Sequence, residues 1–261
     1  MLSRFGGLII HIRFLWAAFF AAVLSVPPAV AGTLSWVTQE RWVTVKSITD
    51  GDTFKTTNGE KIRLLGINTP ETRKDTKQAQ PFGNKAKQAL KKIIAGKQVR
   101  LSFDKEKKDR YGRTLAHIYT RNGLWVNAEL VRLGLAHVYT FAPNTKLANR
   151  LTAIEQQAIR SNLGIWSHKR WQVVEADKLA INLLGQFRLV QGKVTKLDKR
   201  GWGFNLGKLT VTIPKKYRQS FGKRLRLKVG DVVLVRGKVR LSKRNKWFLS
   251  IYNRSDVYHI K

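Results

Sequence analysis

Residues 48–71 read ITDGDTFKTTNGEKIRLLGINTPE, and the fold hangs on how this stretch is divided. Ile48 and Phe54 flank Asp50-Gly51-Asp52, so an apolar strand breaks at a tight acidic turn and resumes. Asn58-Gly59 then favours a hairpin, because both residues tolerate the left-handed backbone a two-residue turn needs. Asp50 and Asp52 are either cation ligands or turn formers. An EF-hand loop counted from Asp50 would need an oxygen ligand at its fifth position, Gly at its sixth and Glu at its twelfth. Phe54, Lys55 and Lys61 stand there, so that motif is excluded.

Outward from this stretch the pattern stays β-rich. WVTVKSI (42–48) alternates, QVRLSF (98–103) and TLAHIYT (114–120) are further strands, and AHVYTF (136–141) is a short extended piece. GNKAKQALKKIIAG (83–96) repeats apolar residues at helical spacing and stops at Gly96. VNAELVRLG (126–134) and about 144–162 are two more helices, and residues 72–80 a polar loop. Strands and helices in this order predict an α+β unit, a small β-barrel with three helices, over residues 40–168. A composition shift at 169–184 marks a linker. Residues 185–261 return to short strands with turns and predict a second, smaller all-β barrel of OB type.

The chain of 261 residues carries 50 Lys+Arg against 16 Asp+Glu, a formal net charge of +34. Such a surplus draws polyanions, nucleic acid first. Cysteine is absent, which excludes disulfides, thiol catalysis and cysteine zinc sites. Residues 1–31 combine Arg4 and Arg13 with the apolar run FLWAAFFAAVLSV and a small-x-small site at Ala29-Val30-Ala31. That is the pattern of a secretory signal, with an uncleaved membrane anchor as the alternative. The expectation is an exported protein, periplasmic or secreted.

DGDT (50–53), RLLGINTPE (63–71), DRYGR (109–113), LVRLGLAHVY (130–139) and NLGIW (162–166) occur in order and at characteristic spacing. Together they resemble the thermonuclease, or staphylococcal-nuclease-like, family across 40–168. The resemblance implies a five-stranded OB-type barrel with three helices. It also implies calcium-dependent endonuclease cleavage of DNA and RNA that leaves 3′-phosphate ends. Residue by residue, it implies that Asp52, Asn68 and the Thr69 carbonyl hold the metal, and that Asp50 is an outer turn group. Arg63 and Arg113 would bind phosphate, Glu71 would be the general base, and Tyr111, Tyr139 and Arg110 would contact substrate, with Phe141 near a second tyrosine position. Asn68 stands where the best-known member of the family has a second calcium-binding Asp, so weaker or water-mediated calcium binding is implied.

In the second barrel Trp202, Lys238, Arg240 and Trp247 are the candidate nucleic-acid contacts, because aromatic rings among cations suit sequence-tolerant binding of single strands. The expected partners are DNA and RNA, single-stranded or denatured by preference, bound by a monomer, with membrane association if the N-terminus stays uncleaved. The rival reading is a non-catalytic nucleic-acid capture protein at the cell surface.

Overall fold

A computed structural model describes residues 40–72 and 79–260, without the side chain of Ser220. The expected signal or anchor segment and most of the expected loop at 72–80 lie outside these residues. Among the described residues no helix is long and apolar enough to cross a membrane.

The first part runs β1 (Glu40–Asp50), β2 (Thr53–Thr56), β3 (Lys61–Leu64), β4 (Ile67–Asn68), α1 (Gly83–Ile94), β5 (Gln98–Ser102), β6 (Thr114–Thr120), α2 (Val126–Arg132), β7 (His137–Val138) and α3 (Ala148–Arg160). Five strands close a barrel in the order β1-β2-β3-β6-β5, with β3 and β6 parallel. Alternation decides which side chains fill it: along β5, Val99 and Leu101 point in while Gln98 lies exposed. Phe54, Ile62, Leu64 and Ile118 complete the interior from the other strands. Each such side chain contributes about 1.5–3 kcal/mol by leaving water. Helix α1 buries Ala86, Leu90 and Ile94 on one face and ends before Gly96, whose φ of 70° stops the helix.

Helix α3 starts four residues later than the sequence predicts, at Ala148. Asn144 is engaged elsewhere: its amide accepts from Glu106 N and donates to Glu106 O, both at 2.8 Å. The AHVYTF stretch gives only the two-residue β7, which pairs antiparallel with β4 outside the barrel.

The second part runs β8 (Val174–Glu175), β9 (Phe187–Leu197), β10 (Gly203–Leu206), β11 (Leu209–Thr212), α4 (Arg218–Phe221), β12 (Val232–Leu241), β13 (Trp247–Ser250) and β14 (Val257–His259). Its ring closes as β9-β10-β11-β13-β12 through the β12–β9 pairing, and β11 and β13 are parallel. Both rings therefore visit their strands in the order one, two, three, five, four, with a helix between the third and fourth. The architecture is OB-like twice over, although no sequence repeat announces it. Residues 169–184, expected as a linker, hold β8 against β9 and bury Ala176 in the second core.

Trp166, Leu189, Leu234 and Ala158 form a third apolar cluster that joins the two parts. Beside it Arg236, on β12, forms a fully buried ion pair with Glu155 on α3 and donates to the Val138 carbonyl at 3.2 Å. Glu155 in turn accepts from Val138 N at 2.6 Å. The second barrel is thus fastened directly to β7, two residues from Thr140 and one from Tyr139.

Candidate nucleic-acid-processing site

The acidic turn sits where β1 hands over to β2. Asp50 accepts from Asp52 N at 3.2 Å, which is the turn-forming role expected of it. Gly51 is required for space: a Cβ there would stand 2.7 Å from both Ala86 Cβ and Thr69 Oγ1. Asp52 is buried and accepts from Thr69 N at 2.9 Å and from the Thr53 hydroxyl at 3.1 Å. Burial pushes its carboxyl up to about 6; Arg63 opposes the rise and the Asp50 charge adds to it.

Arg63 gathers the cluster. From β3 its Nη2 lies 3.0 Å from Asp52 Oδ2 and 2.9 Å from Asn68 Oδ1, while Nη1 donates to the Leu64 carbonyl at 2.6 Å. Asn68 donates to the Thr69 carbonyl at 3.2 Å, and its amide nitrogen lies 3.5 Å from His137 Nε2. Asp52, Asn68 and Thr69 therefore come together as expected. Their donors are all hard oxygens, and a desolvated carboxylate whose charged form is disfavoured gains from a cation beside it, so the set fits calcium. It is a lean set. Among the described residues no group of three or more Asp, Glu, His or Cys could hold a metal ion, so any cation held here would need the amide and carbonyl oxygens beside the one carboxylate.

The DRYGR loop is built by Asp109. Its carboxylate accepts from Tyr111 N at 2.9 Å, Arg113 N at 3.0 Å and Arg113 Nε at 2.7 Å. Burial opposes its ionisation, but the Arg113 bonds win and hold it below the usual carboxylate range. Tyr111 is exposed, with Arg110 and Arg113 at 4.8 and 5.5 Å from its ring centroid. Arg63, Arg110, Tyr111, Arg113, Tyr139 and Phe141 line one cleft of about 470 Å³. Three guanidinium groups and an aromatic rim can bind a phosphodiester and the bases beside it.

Glu71 is exposed and lies outside the lining of that cleft. Its backbone is clamped: Glu71 N donates to Gln80 Oε1 at 3.2 Å, and its carbonyl accepts from Gln80 N at 2.9 Å. A Cβ on Gly83 would fall 2.4 Å from the Glu71 carbonyl oxygen, so only glycine lets α1 begin against it.

The four second-barrel candidates separate. Trp202 and Trp247 are partly buried against the second core, so neither stands out as an open platform. Trp202 also faces Arg218 at 5.3 Å and lines a different cavity with Lys196, Lys199 and Arg200. Lys238 and Arg240 are exposed two residues apart on β12. Arg240 is close enough for its charge to act on the Tyr139 hydroxyl, whose ionisation is held back mainly by burial. His137 was not singled out from the sequence, yet it is buried, stacks on Phe187 at 4.7 Å and backs Asn68. Its partners lie 50 and 69 residues away, and no local pattern marks such pairings.

The family model described as "Staphylococcal nuclease homologue" matches residues 61–168. "Thermonuclease" of Staphylococcus intermedius is 38% identical over 125 residues, which are 47% of this chain and 74% of that protein. "Thermonuclease" of Staphylococcus hyicus is 34% identical over 144 residues, 54% of this chain and 84% of that protein. "Endonuclease YncB" of Bacillus subtilis (strain 168) is 40% identical over 130 residues, 48% of this chain and 61% of that protein. With this cluster in an OB-type barrel, and with thermonuclease relatives 34–38% identical and matched over most of their length, the chain belongs to the staphylococcal nuclease family.

Proposed function

We propose that the chain is an exported, calcium-dependent nuclease that hydrolyses the phosphodiester bonds of DNA and RNA with little sequence preference and leaves 3′-phosphate ends. The observation that carries this reading is the grouping of Asp52, Asn68 and Thr69 around Arg63, at a cleft that also holds Arg113 and an aromatic rim. Arg63 and Arg113 bind the phosphate and offset the charge it gains in the transition state. Glu71 orients and deprotonates the attacking water. A calcium ion held by Asp52, Asn68 and the Thr69 carbonyl would polarise the phosphoryl oxygen. The +34 net charge supports a polyanionic substrate. The exposed rings of Tyr111, Tyr139 and Phe141 support a preference for unpaired strands. The printed names of the relatives support nuclease chemistry. Residues 1–31 support export, with cleavage or anchoring left to the same segment.

The non-catalytic capture reading draws on one observation: Arg63 Nη2 already bridges the Asp52 and Asn68 oxygens that would serve the cation. End analysis separates the two. Fragments of a single-stranded DNA digest made in calcium should be extended by a polymerase only after a phosphatase removes the 3′-phosphate. Directly extendable fragments would overturn the proposed bond cleavage, and absence of fragments would favour capture.

A further inference from the structure

A run of aromatic rings leaves the cleft and crosses from one barrel to the other. Tyr139 meets Phe141 edge to face at 4.6 Å, Phe141 meets Tyr252 at 5.3 Å, and Tyr252 meets Tyr217 edge to face at 5.0 Å. The first two rings belong to the cleft with Arg63 and Arg113. The last two belong to the second barrel. Tyr139 and Phe141 are 37% and 38% exposed, and Tyr252 and Tyr217 are half-buried, so the run remains open to solvent along its length.

Its register is fixed by a polar bracket. Asn253, buried next to Tyr252, donates to the Thr140 carbonyl at 3.2 Å and to the Thr140 hydroxyl at 2.8 Å. Thr140 lies between Tyr139 and Phe141, so this bond sets Tyr252 beside those rings. The Asp256 carboxylate holds the same turn by accepting from Tyr252 N at 2.7 Å and Asn253 N at 3.0 Å. Cations accompany the run: the Lys216 ammonium lies 4.7 Å from the Tyr217 ring centroid, and Arg240 is exposed on β12 of the same barrel.

We propose that Tyr252 and Tyr217, with Arg240 and Lys216, form a stacking track on the second barrel that holds the single-stranded nucleic acid leading to or from the cleavage cleft. Partly open aromatic rings flanked by cations suit unpaired bases and their phosphates, because every base offers a π-face and every linkage a charge. A duplex cannot use such a track without unpairing. The inference deepens the nuclease reading and rests on it for the direction of the strand, but its binding component is measurable without cleavage.

The test uses the full chain with a single-stranded DNA 12-mer and a dinucleotide. Binding of the labelled 12-mer is followed by anisotropy in EDTA and its cleavage in calcium. Tyr252→Ala and Tyr217→Ala should each weaken 12-mer binding about tenfold, while Tyr→Phe at each position retains most of it. Each Ala variant should raise the 12-mer KM by a clearly larger factor than the dinucleotide KM. Arg240→Gln and Lys216→Gln should each lower the slope of log affinity against log salt by about 0.7, and they leave the rings in place if the alanine variants fail to fold. Unchanged 12-mer affinity and salt slopes would overturn the track, as would equal losses on the two substrates. Normal 12-mer binding by the unsubstituted chain without any cleavage would instead fault the nuclease reading, and the track would stand or fall on the variants' affinities.

Discussion

Arg63 Nη2 stands 3.0 Å from Asp52 Oδ2, with both side chains largely removed from water. The same nitrogen reaches Asn68 Oδ1 at 2.9 Å, so one guanidinium balances one carboxylate and one neutral amide. Asn68→Asp adds a second carboxylate to this cluster. Calcium affinity should tighten roughly tenfold, since ligand charge sets the strength of such oxygen sites. Titration calorimetry checks it, and an unchanged affinity would remove residue 68 from the ligand set.

The clamp on Glu71 gives a second prediction. Gly83→Ala drives a methyl group into the Glu71 carbonyl, where only 2.4 Å is free. Stability should fall by about 1–3 kcal/mol through overpacking. The turnover number should also fall, because the carboxylate must move with its backbone. Denaturant unfolding and steady-state cleavage read the two effects, and full activity would show that Glu71 tolerates the displacement.

The fastening between barrels rests on charge. Glu155→Ala strands the Arg236 guanidinium in a fully buried position and should cost about 3–5 kcal/mol. Replacing both residues by Leu and Met should cost clearly less than the single change. A double-mutant cycle by chemical denaturation checks the pair, and equal single and double losses would show that packing, not ion pairing, makes the joint.

His117 sets an acid limit. It lies buried on β6 with its ring 5.4 Å from Trp125, and burial, helped by Lys146 and opposed by Asp104, lowers its pKa from 6.5 to about 4. The unfolded chain takes up the proton near pH 6.5 and the folded chain does not. The histidine therefore favours folding above pH 6.5 and loses that contribution as pH falls towards 4, at up to about 1.4 kcal/mol per pH unit. Stability measured from pH 7 to 4 should fall less steeply in His117→Leu than in the unsubstituted chain. Parallel curves would show that His117 is protonated in the folded state.

Much of this was legible in the residues themselves. Strand β6 lies where TLAHIYT predicts it, and α1 buries three of the four apolar residues that its spacing selects, because local periodicity carries that information. Asp52, Asn68, Thr69 and Arg63 converge because the ends of β1, β3 and β4 fall at one corner of a small barrel. What the sequence hid were relations of long separation. Arg236 and Glu155 are 81 residues apart and Asn253 and Thr140 are 113 apart, and each reads alone as an ordinary polar residue. Trp202 and Trp247 show the limit of a local pattern: an aromatic among lysines looks like a platform, yet both rings also pack, partly buried, against the core of the second barrel.

The central claim is that Glu71, Arg63 and Arg113 act with calcium to cut nucleic acid. Its most direct test is digestion of single-stranded DNA by the full chain in calcium, in EDTA, and in calcium with Glu71→Gln. The account predicts rapid cleavage in calcium, none in EDTA, and a loss of about a hundredfold or more in Glu71→Gln with strand binding retained. Equal cleavage under all three conditions would contradict it.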